Sequence, residues 1–387
     1  MDPKRGDNGR VIRAEAVIDL DAVRRNLSTI GAAVGAAPIM AVVKADAYGH
    51  GMVHVARAAR GMGVPWLGVA LLSEARALRE SGDTGRLLAW LWAPGDADLD
   101  PCLASDVDIS VSSLWALAEV SAAARRLAVR ARVHLKVDTG LSRNGAGLDE
   151  WAGLVTAASS EQGSGAIEVV SVWSHLANAD RADDQSVRDQ RNAYESACEV
   201  AGAAGLSPAL RHLANTPAAL GYPQTRYDLV RIGIGMYGVA PSTPGSAAAL
   251  GLTGAMTLRA RLALVKQIPT GQSVSYGSSW QASRPTRVGL VPVGYADGVP
   301  RAASGRAEVL VAGVRCPVLG RIAMDQFVIE LDDRLGDIRA GDDVILFGDA
   351  ADGAPTADDW AVASDSIGYE IVTRVSSRVP RRYVGAR

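Results

Sequence analysis

The segment IMAVVK, residues 39–44, is a short, continuously apolar run that ends in a lysine. From there to about residue 240 the chain repeats one pattern, in which an apolar run is followed by an alanine-rich amphipathic stretch and then by another apolar run. This alternation is typical of a parallel sheet covered by helices on both faces. Eight such runs are present, and they end at residues 44, 70, 92, 113, 139, 176, 216 and 238. They predict an α/β fold that begins with a closed (β/α)8 TIM-type barrel, in which the short seventh connection, around residues 216–223, is the weakest unit.

The pattern changes after the barrel. Residues 241–254 are rich in Pro, Ser, Gly and Ala and are typical of a connection. Alternating runs punctuated by Gly and Pro follow, with few helical signals before residues 361–377, and they predict a mainly β C-terminal domain. We therefore expect a barrel over residues 1–246 and a β domain over residues 247–387, and the alternating segment 14–20 could pair with the β domain.

Composition excludes several classes of protein. The chain has 387 residues and a net charge of −2, so nothing attracts it to nucleic acid or to anionic membranes in general. Residues 1–10 are polar and charged, and no apolar run reaches the length of a membrane span, which predicts a cytoplasmic protein. Cys102, Cys198 and Cys316 are odd in number and far apart, so we expect neither disulfides nor a metal site.

Chemistry-bearing side chains follow the predicted strands, at the end of a barrel where active sites form. They are Lys44, Tyr48, Lys136, Asp138, Arg143, His175, His212, Asn215, Thr216, Arg231, Gly233 and Gly235. A lone lysine at a strand end is more often a solvated rim residue, and the whole set could also be an internal ion network. Two lysines, two histidines and two arginines at one rim nevertheless favour a functional site.

This set suits a phosphorylated aldehyde cofactor. A lysine shielded from water has a lowered pKa and can form an imine, which makes Lys44 a candidate. Thr216 and the backbone at residues 233–234 follow strands seven and eight, where many barrels bind phosphate. Arg231 could face a pyridine nitrogen.

Ten motifs, spread over essentially the whole chain, resemble the alanine racemases. They are AVVKADAYGHG (41–51), VHLKVDTGLSRNG (133–145), WSHLANAD (173–180), HLANTPAAL (212–220), VRIGIGMYG (230–238), SVSYGSSW (273–280), VGYADGVPR (293–301), GRIAMDQF (320–327), IGYE (367–370) and RVPRRY (378–383). The resemblance implies a racemase that uses pyridoxal 5'-phosphate (PLP) to interconvert L-alanine and D-alanine, a peptidoglycan precursor.

The resemblance also implies cofactor contacts. Lys44 would carry the cofactor as an imine, Arg231 would pair with the pyridine nitrogen, and His175 would lie against the ring. Arg143 would approach the phenolic oxygen, and Lys136, often carbamylated in the family, would then fix Arg143. The remaining cofactor and supporting residues would be Tyr48, Thr216, Gly233, Ile234 and Tyr369 around the phosphate, with His212 and Asn215 behind them.

The second domain would complete the site. Tyr276 would be the second catalytic base, on the face of the substrate opposite Lys44. Met324 and Asp325, together with Arg143, would bind the small amino-acid substrate. Tyr295 and Arg301 would line the entrance. The family forms a head-to-tail homodimer with shared active sites, so the dimer would be the catalytic unit.

Three other functions remain open. A racemase for serine or another small amino acid would use the same chemistry. Some PLP-dependent decarboxylases share the barrel-plus-β architecture, although the pairing of SYGSSW with MDQF favours a racemase. A non-enzymatic PLP-binding protein would resemble the barrel alone, and the β domain that carries Tyr276 argues against it.

Overall fold

The computed structural model describes residues 12–241 and 247–385. Strand β1 (Ala14–Asp19) and helix α1 (Leu20–Val34) come first, and eight barrel strands follow. These are β2 (Ile39–Val42), β3 (Trp66–Leu71), β4 (Arg86–Leu91), β5 (Asp108–Val111), β6 (Ala131–Lys136), β7 (Ile167–Trp173), β8 (Leu210–His212) and β9 (Val230–Ile232).

The eight strands form one parallel sheet in the order β8-β7-β6-β5-β4-β3-β2-β9. Backbone hydrogen bonds from Asp228 to Arg211 and from Arg231 to Ala214, both 3.0 Å, join the two edge strands. The sheet is therefore a nearly closed barrel, as predicted. Its eight strands all end at one mouth, which brings the polar residues that follow them together.

Helices cover the barrel between the strands. They are α2 (Lys44–Tyr48), α3 (Met52–Gly61), α4 (Leu72–Glu80), α5 (Leu99–Ala104), α6 (Leu114–Leu127), α7 (Leu148–Gly163), α8 (Gln185–Ala203) and α9 (Thr216–Gly221). Ser113 and Asp184 cap α6 and α8 through their side chains, which is why both helices begin where a polar residue follows a loop. The short seventh connection consists of α9 and one turn of 3-10 helix.

The rest of the chain is mainly β. Its elements are β10 (Met256–Arg261), β11 (Leu264–Ile268), β12 (Ser273–Val274), β13 (Trp280–Gln281), β14 (Thr286–Val291), β15 (Glu308–Val311), β16 (Val314–Leu319), β17 (Phe327–Glu330), β18 (Asp343–Phe347), α10 (Ala357–Ser364), α11 (Gly368–Thr373) and β19 (Arg381–Val384). One sheet has the order β11-β14-β17-β16-β15-β18-β10-β1-β19. The N-terminal strand β1 thus lies between β10 and β19 of this second region. The helical signal at residues 361–377 corresponds to parts of two short helices, α10 and α11, separated where Asp365 adopts a left-handed conformation with φ 59°.

Some expectations extend past the described residues. The proposed domain boundary at residues 246 and 247 stays a prediction, since residue 246 lies outside the described part, as do residues 1–10. Within residues 12–241 and 247–385, no helix is both long and apolar enough to cross a membrane. The same residues contain no group of three or more His, Cys, Asp or Glu side chains that could hold a metal ion.

Candidate active site

Lys44 lies two residues after the end of β2, at the start of an unusual turn. The four residues that follow it, positions 45–48, all have positive φ angles, between 51° and 54°. Such a conformation costs non-glycine residues about 1–2 kcal/mol each, so surrounding contacts must hold it. The carboxylate of Glu74 accepts a 2.6 Å hydrogen bond from the amide of Ala45, and Nδ1 of His50 lies 3.0 Å from the carbonyl oxygens of Ala47 and Tyr48. These contacts fix Lys44 and Tyr48 relative to each other.

Tyr48 lies where α2, β9 and α11 meet. Its ring centroid is 4.9 Å from that of Tyr237 and 6.3 Å from that of Tyr369. The backbone amide of Gly233 donates a 3.0 Å hydrogen bond to Oγ1 of Thr216. Four of the residues expected around a phosphate are therefore neighbours, and burial, followed by the effect of Tyr369, raises the pKa of Tyr48, which keeps its hydroxyl protonated as a donor.

Gly233 allows this close approach, because a Cβ atom at that position would lie 2.5 Å from the hydroxyl oxygen of Tyr48. We expect Gly233→Ala to displace Tyr48 and to weaken cofactor binding by about tenfold or more, as the loss of one or two hydrogen bonds to a charged group would do. Titration of the apo-protein with PLP measures this. Gly221→Ala is the matched control, since a Cβ there meets nothing within 4 Å. Equal PLP affinities of the two variants would contradict the role of Gly233.

Arg231 is the most constrained side chain of the cluster. It is 4% exposed, and its terminal nitrogens donate to the carbonyl oxygens of Ser174, His212 and Leu213 at 2.9–3.1 Å. They also lie 3.0 Å from Nδ1 of His212 and 3.2 Å from Nδ1 of His175. Burial lowers the pKa of Arg231 to about 10, well above neutral pH, so the guanidinium stays charged. None of its hydrogen bonds to the described residues uses Nε, which remains available to a ligand.

The mouth of the barrel is rich in positive charge. Burial, followed by the charges of Arg231 and Arg143, lowers the pKa of Lys136 to about 7. Burial and then Arg143 lower the pKa of Lys44 as well. His175 stays neutral, since burial and then Arg231 hold its pKa well below the ordinary value. Amines that resist protonation are potential bases and nucleophiles, and the surplus of cations favours an anionic ligand.

A cavity of about 620 Å³ opens beside these residues. It is lined by Arg143, His175, Asn215 and Tyr369, together with Ser366 and other residues. The cavity is large enough for a cofactor-sized molecule, and its lining joins the barrel mouth to α11.

The β-domain residues of the predicted site lie apart from this cluster. Tyr276 is 72% exposed and Met324 is 52% exposed, and Tyr295 and Arg301 are exposed too. Asp325 accepts a 2.7 Å hydrogen bond from Arg378. No hydrogen bond or ring contact within the described part of the chain joins Tyr276 to the barrel residues. The structure of one chain therefore brings together the barrel side of the predicted site but not the β-domain side.

Two residues of the site have no counterpart among the sequence-based predictions. The ring of Trp173 stacks on that of His212, with 5.2 Å between the ring centroids. The centroid of Trp173 also lies 4.3 Å from Nζ of Lys136 and 4.9 Å from the guanidinium carbon of Arg231. Glu74 reaches the turn after Lys44 from the start of α4. Trp173 lies inside a quoted motif, but a tryptophan in an apolar strand gives no signal of a polar site, and nothing in the sequence around Glu74 indicates its partner.

Two family models match the chain in succession. Residues 18–241 match the N-terminal domain of alanine racemase, and residues 255–383 match the C-terminal domain. The chain belongs to the alanine racemase family. The expected family, the fold and the enzyme class, an isomerase of the amino-acid racemase type, are thereby confirmed.

Individual relatives support the same family assignment. The chain is 50% identical over 377 residues to the alanine racemase of Frankia casuarinae, covering 97% of both chains. The crystal structure of alanine racemase from D-cycloserine producing Streptomyces lavendulae has a TM-score of 0.95 and 50% identity, with 98% of each chain covered. The alanine racemase of Streptomyces coelicolor has a TM-score of 0.94 and 47% identity, covering 97% of this chain and 98% of that one. The similarity spans both halves of the chain.

Proposed function

We propose that this chain interconverts L-alanine and D-alanine with PLP as cofactor, by a mechanism that uses Lys44 and Tyr276 as two bases. The observation that carries the proposal is the cluster at the barrel mouth, where Lys44, Lys136 and Arg231 meet in a chain of this family. The relatives named above are alanine racemases, which favours alanine over serine and racemisation over decarboxylation. Chiral analysis of products from a panel of amino acids, with a carbon dioxide assay, tests the choice.

The residues present fit PLP. The available Nε of Arg231 suits an unprotonated pyridine nitrogen, and the surplus of positive charge suits a phosphate. The tight approach of Gly233 to Tyr48, beside Thr216, forms a cradle that a Cβ would fill. We infer that the remaining contacts come from Ile234, Asn215 and Tyr369 at the phosphate, His175 at the ring and Arg143 at the phenolic oxygen. When bound, PLP delocalises the negative charge that appears when the substrate loses its Cα proton.

The proton transfers then need one base on each face of the substrate. Lys44 suits one face because its lowered pKa leaves the amine able to accept a proton. Tyr276 serves the other face. Since Tyr276 is exposed in one chain, we infer that it enters the site of a second copy, in a homodimer with shared active sites. Met324 and Asp325 accompany it at the substrate, and Tyr295 and Arg301 line the entrance.

Arg231 favours racemisation over transamination. An arginine does not give up its proton, so it leaves the pyridine nitrogen unprotonated, whereas a buried lysine can donate one. We expect Arg231→Lys to slow racemisation by about 10–100-fold and to raise the ratio of transamination to racemisation. Pyruvate formation and chiral alanine analysis measure both rates. An Arg231→Lys enzyme with an unchanged ratio would show that Arg231 does not tune the ring nitrogen.

Lys136 is suited to carbamylation. A neutral amine attacks carbon dioxide, and the nitrogen loses one proton as the carbamate anion forms. With its pKa lowered to about 7, Lys136 is neutral in a far larger fraction of molecules at pH 7 than an ordinary lysine is. The anion would pair with Arg143 and remove one positive charge from the cluster.

We therefore expect ¹³C-bicarbonate to give a protein carbamate signal in carbon-13 NMR of the apo-protein, and the signal should grow as pH rises through 7. Lys136→Met should abolish the signal, and replacement of the exposed Lys266 by Met should not. A signal that survives in Lys136→Met would assign the carbamate elsewhere.

A further inference from the structure

A column of buried polar side chains runs through the interior of the barrel beneath Arg231. It consists of Asp108, His134, Ser171, His212 and Arg231, which come from the neighbouring strands β5, β6, β7, β8 and β9 in that order. All five are buried, since the first four are 0% exposed and Arg231 is 4% exposed. Asp108 is the first residue of β5 and His212 is the last of β8, so the column runs from the N-terminal end of the barrel strands to the mouth at their C-terminal end.

Each member contacts the next. Oδ2 of Asp108 lies 3.0 Å from Nε2 of His134. Nδ1 of His134 lies 3.1 Å from Nε2 of His212. Oγ of Ser171 bridges these two nitrogens, at 2.7 Å from His134 and 3.1 Å from His212. Nδ1 of His212 then faces Nη1 of Arg231 at 3.0 Å.

The two ends of the column fix the direction of every proton between them. Arg231 can only donate, so Nδ1 of His212 must accept and its Nε2 carries the hydrogen. An ionised Asp108 can only accept, so Nε2 of His134 donates to it and Nδ1 of His134 is the acceptor. The hydroxyl of Ser171 fits between them if it accepts from His212 and donates to His134. All hydrogen bonds therefore run one way, from Arg231 down to Asp108.

The charges around the column agree with this arrangement. Burial acts to raise the pKa of Asp108, but the hydrogen bond from His134 and the charges of Arg86 and Arg132 outweigh it and hold the pKa below its ordinary value. Burial lowers the pKa of His134. Burial, and then Arg231, holds the pKa of His212 well below the ordinary value. The carboxylate is therefore ionised and both imidazoles are neutral, as the one-way pattern requires.

We propose that Asp108 and His134 are positioning residues for racemisation, which lock His212 in the tautomer that accepts from Arg231 and so fix the guanidinium at the barrel mouth. In the other tautomer of His212, Nδ1 would carry the hydrogen and would face Nη1 of Arg231, which can only donate. Two buried donors would then oppose each other. The inference rests on the proposed role of Arg231.

The first experiment reads the tautomers without cofactor. Nitrogen-15 NMR of the apo-protein labelled at its five histidines distinguishes protonated from unprotonated ring nitrogens. We expect His134 and His212 to be neutral with hydrogen on Nε2 only, and Asp108→Asn to abolish this single state in both. Asp106→Asn is the matched control, because Asp106 pairs with the same Arg132 at 3.1 Å but is 83% exposed and does not reach His134. Hydrogen on Nδ1 of either wild-type histidine, or tautomers unchanged in Asp108→Asn, would overturn the proposal.

The second experiment distinguishes the effect of the His212 tautomer from the effect of side-chain packing at position 134. His134→Asn places an acceptor oxygen near the former Nδ1, whereas His134→Leu leaves His212 without one. We expect kcat to fall by about 10–100-fold in Asp108→Asn and His134→Leu, with little change in KM, which is the range that loss of an orienting partner of a functional histidine produces. His134→Asn should recover most of this loss together with the His212 tautomer. Equal kcat values in His134→Asn and His134→Leu, at equal thermal stability, would refute the positioning role. If Arg231→Lys left the reaction unchanged, the proposed role of Arg231 would be wrong. The tautomer measurement does not depend on that role, so the two failures can be distinguished.

Discussion

Replacement of Lys44 by alanine should reduce alanine racemisation by about 10⁴-fold or more, because in the proposed mechanism this one side chain supplies both the covalent attachment of PLP and one of the two bases. Burial and the neighbouring guanidinium of Arg143 lower the pKa of Lys44, which makes its amine a candidate for both tasks. In the unaltered protein, borohydride reduction followed by peptide mass mapping should find the cofactor bound to Lys44.

The control for this result is a second lysine. Lys136 also has a lowered pKa and lies in the same cluster, so a nucleophile chosen by pKa alone would be ambiguous. Lys136→Met should retain the borohydride label on Lys44, and Lys44→Ala should lose it altogether. Recovery of the label on Lys136 in the unaltered protein would exchange the roles of the two lysines.

The barrel was predictable because its signals are local. The apolar residues of each run indicate that the run is a buried strand. The residue that ends the run must then lie at the barrel mouth, whatever the details of packing. This is why Lys44, Lys136 and His175, which are far apart in sequence, could be assigned to one rim before any contact was known. The caps of α6 and α8 are local in the same way, since Ser113 and Asp184 bond to backbone amides two or three residues further on.

The contacts that orient these residues were not predictable, because they depend on how neighbouring strands are aligned. Asp108 opens an apolar run and could equally have been a solvated strand end. Only the alignment of β5 with β6 places it under His134. The left-handed turn after Lys44 is held by Glu74, 29 positions away from the amide it binds. The position of Tyr276 in the site cannot be read from the folded chain either, because this chain leaves it exposed.

Tyr276→Phe is expected to lower racemisation by about 10²–10⁴-fold, the usual contribution of a general acid or base, while PLP affinity stays unchanged. The substitution removes only the hydroxyl of an exposed ring, so folding should not suffer. The family resemblance assigns the D-alanine proton to Lys44 and the L-alanine proton to Tyr276. Exchange of the Cα proton with deuterated solvent should therefore persist with D-alanine in this variant and be lost with L-alanine. Equal exchange of both enantiomers would exclude a division of the two faces.

The proposed homodimer gives this prediction a second test, because Lys44 and Tyr276 of one site would come from different chains. Lys44→Ala and Tyr276→Phe proteins should each have less than about a hundredth of the unaltered activity, but a mixed dimer contains one site with both substitutions and one with neither. Random mixing makes about half of the dimers mixed, each with one of two sites intact, so about a quarter of the unaltered activity should return. If both residues of a site came from the same chain, every site in the mixture would carry one substitution. Verified mixed dimers would then remain inactive, which distinguishes a shared site from one that a single chain completes.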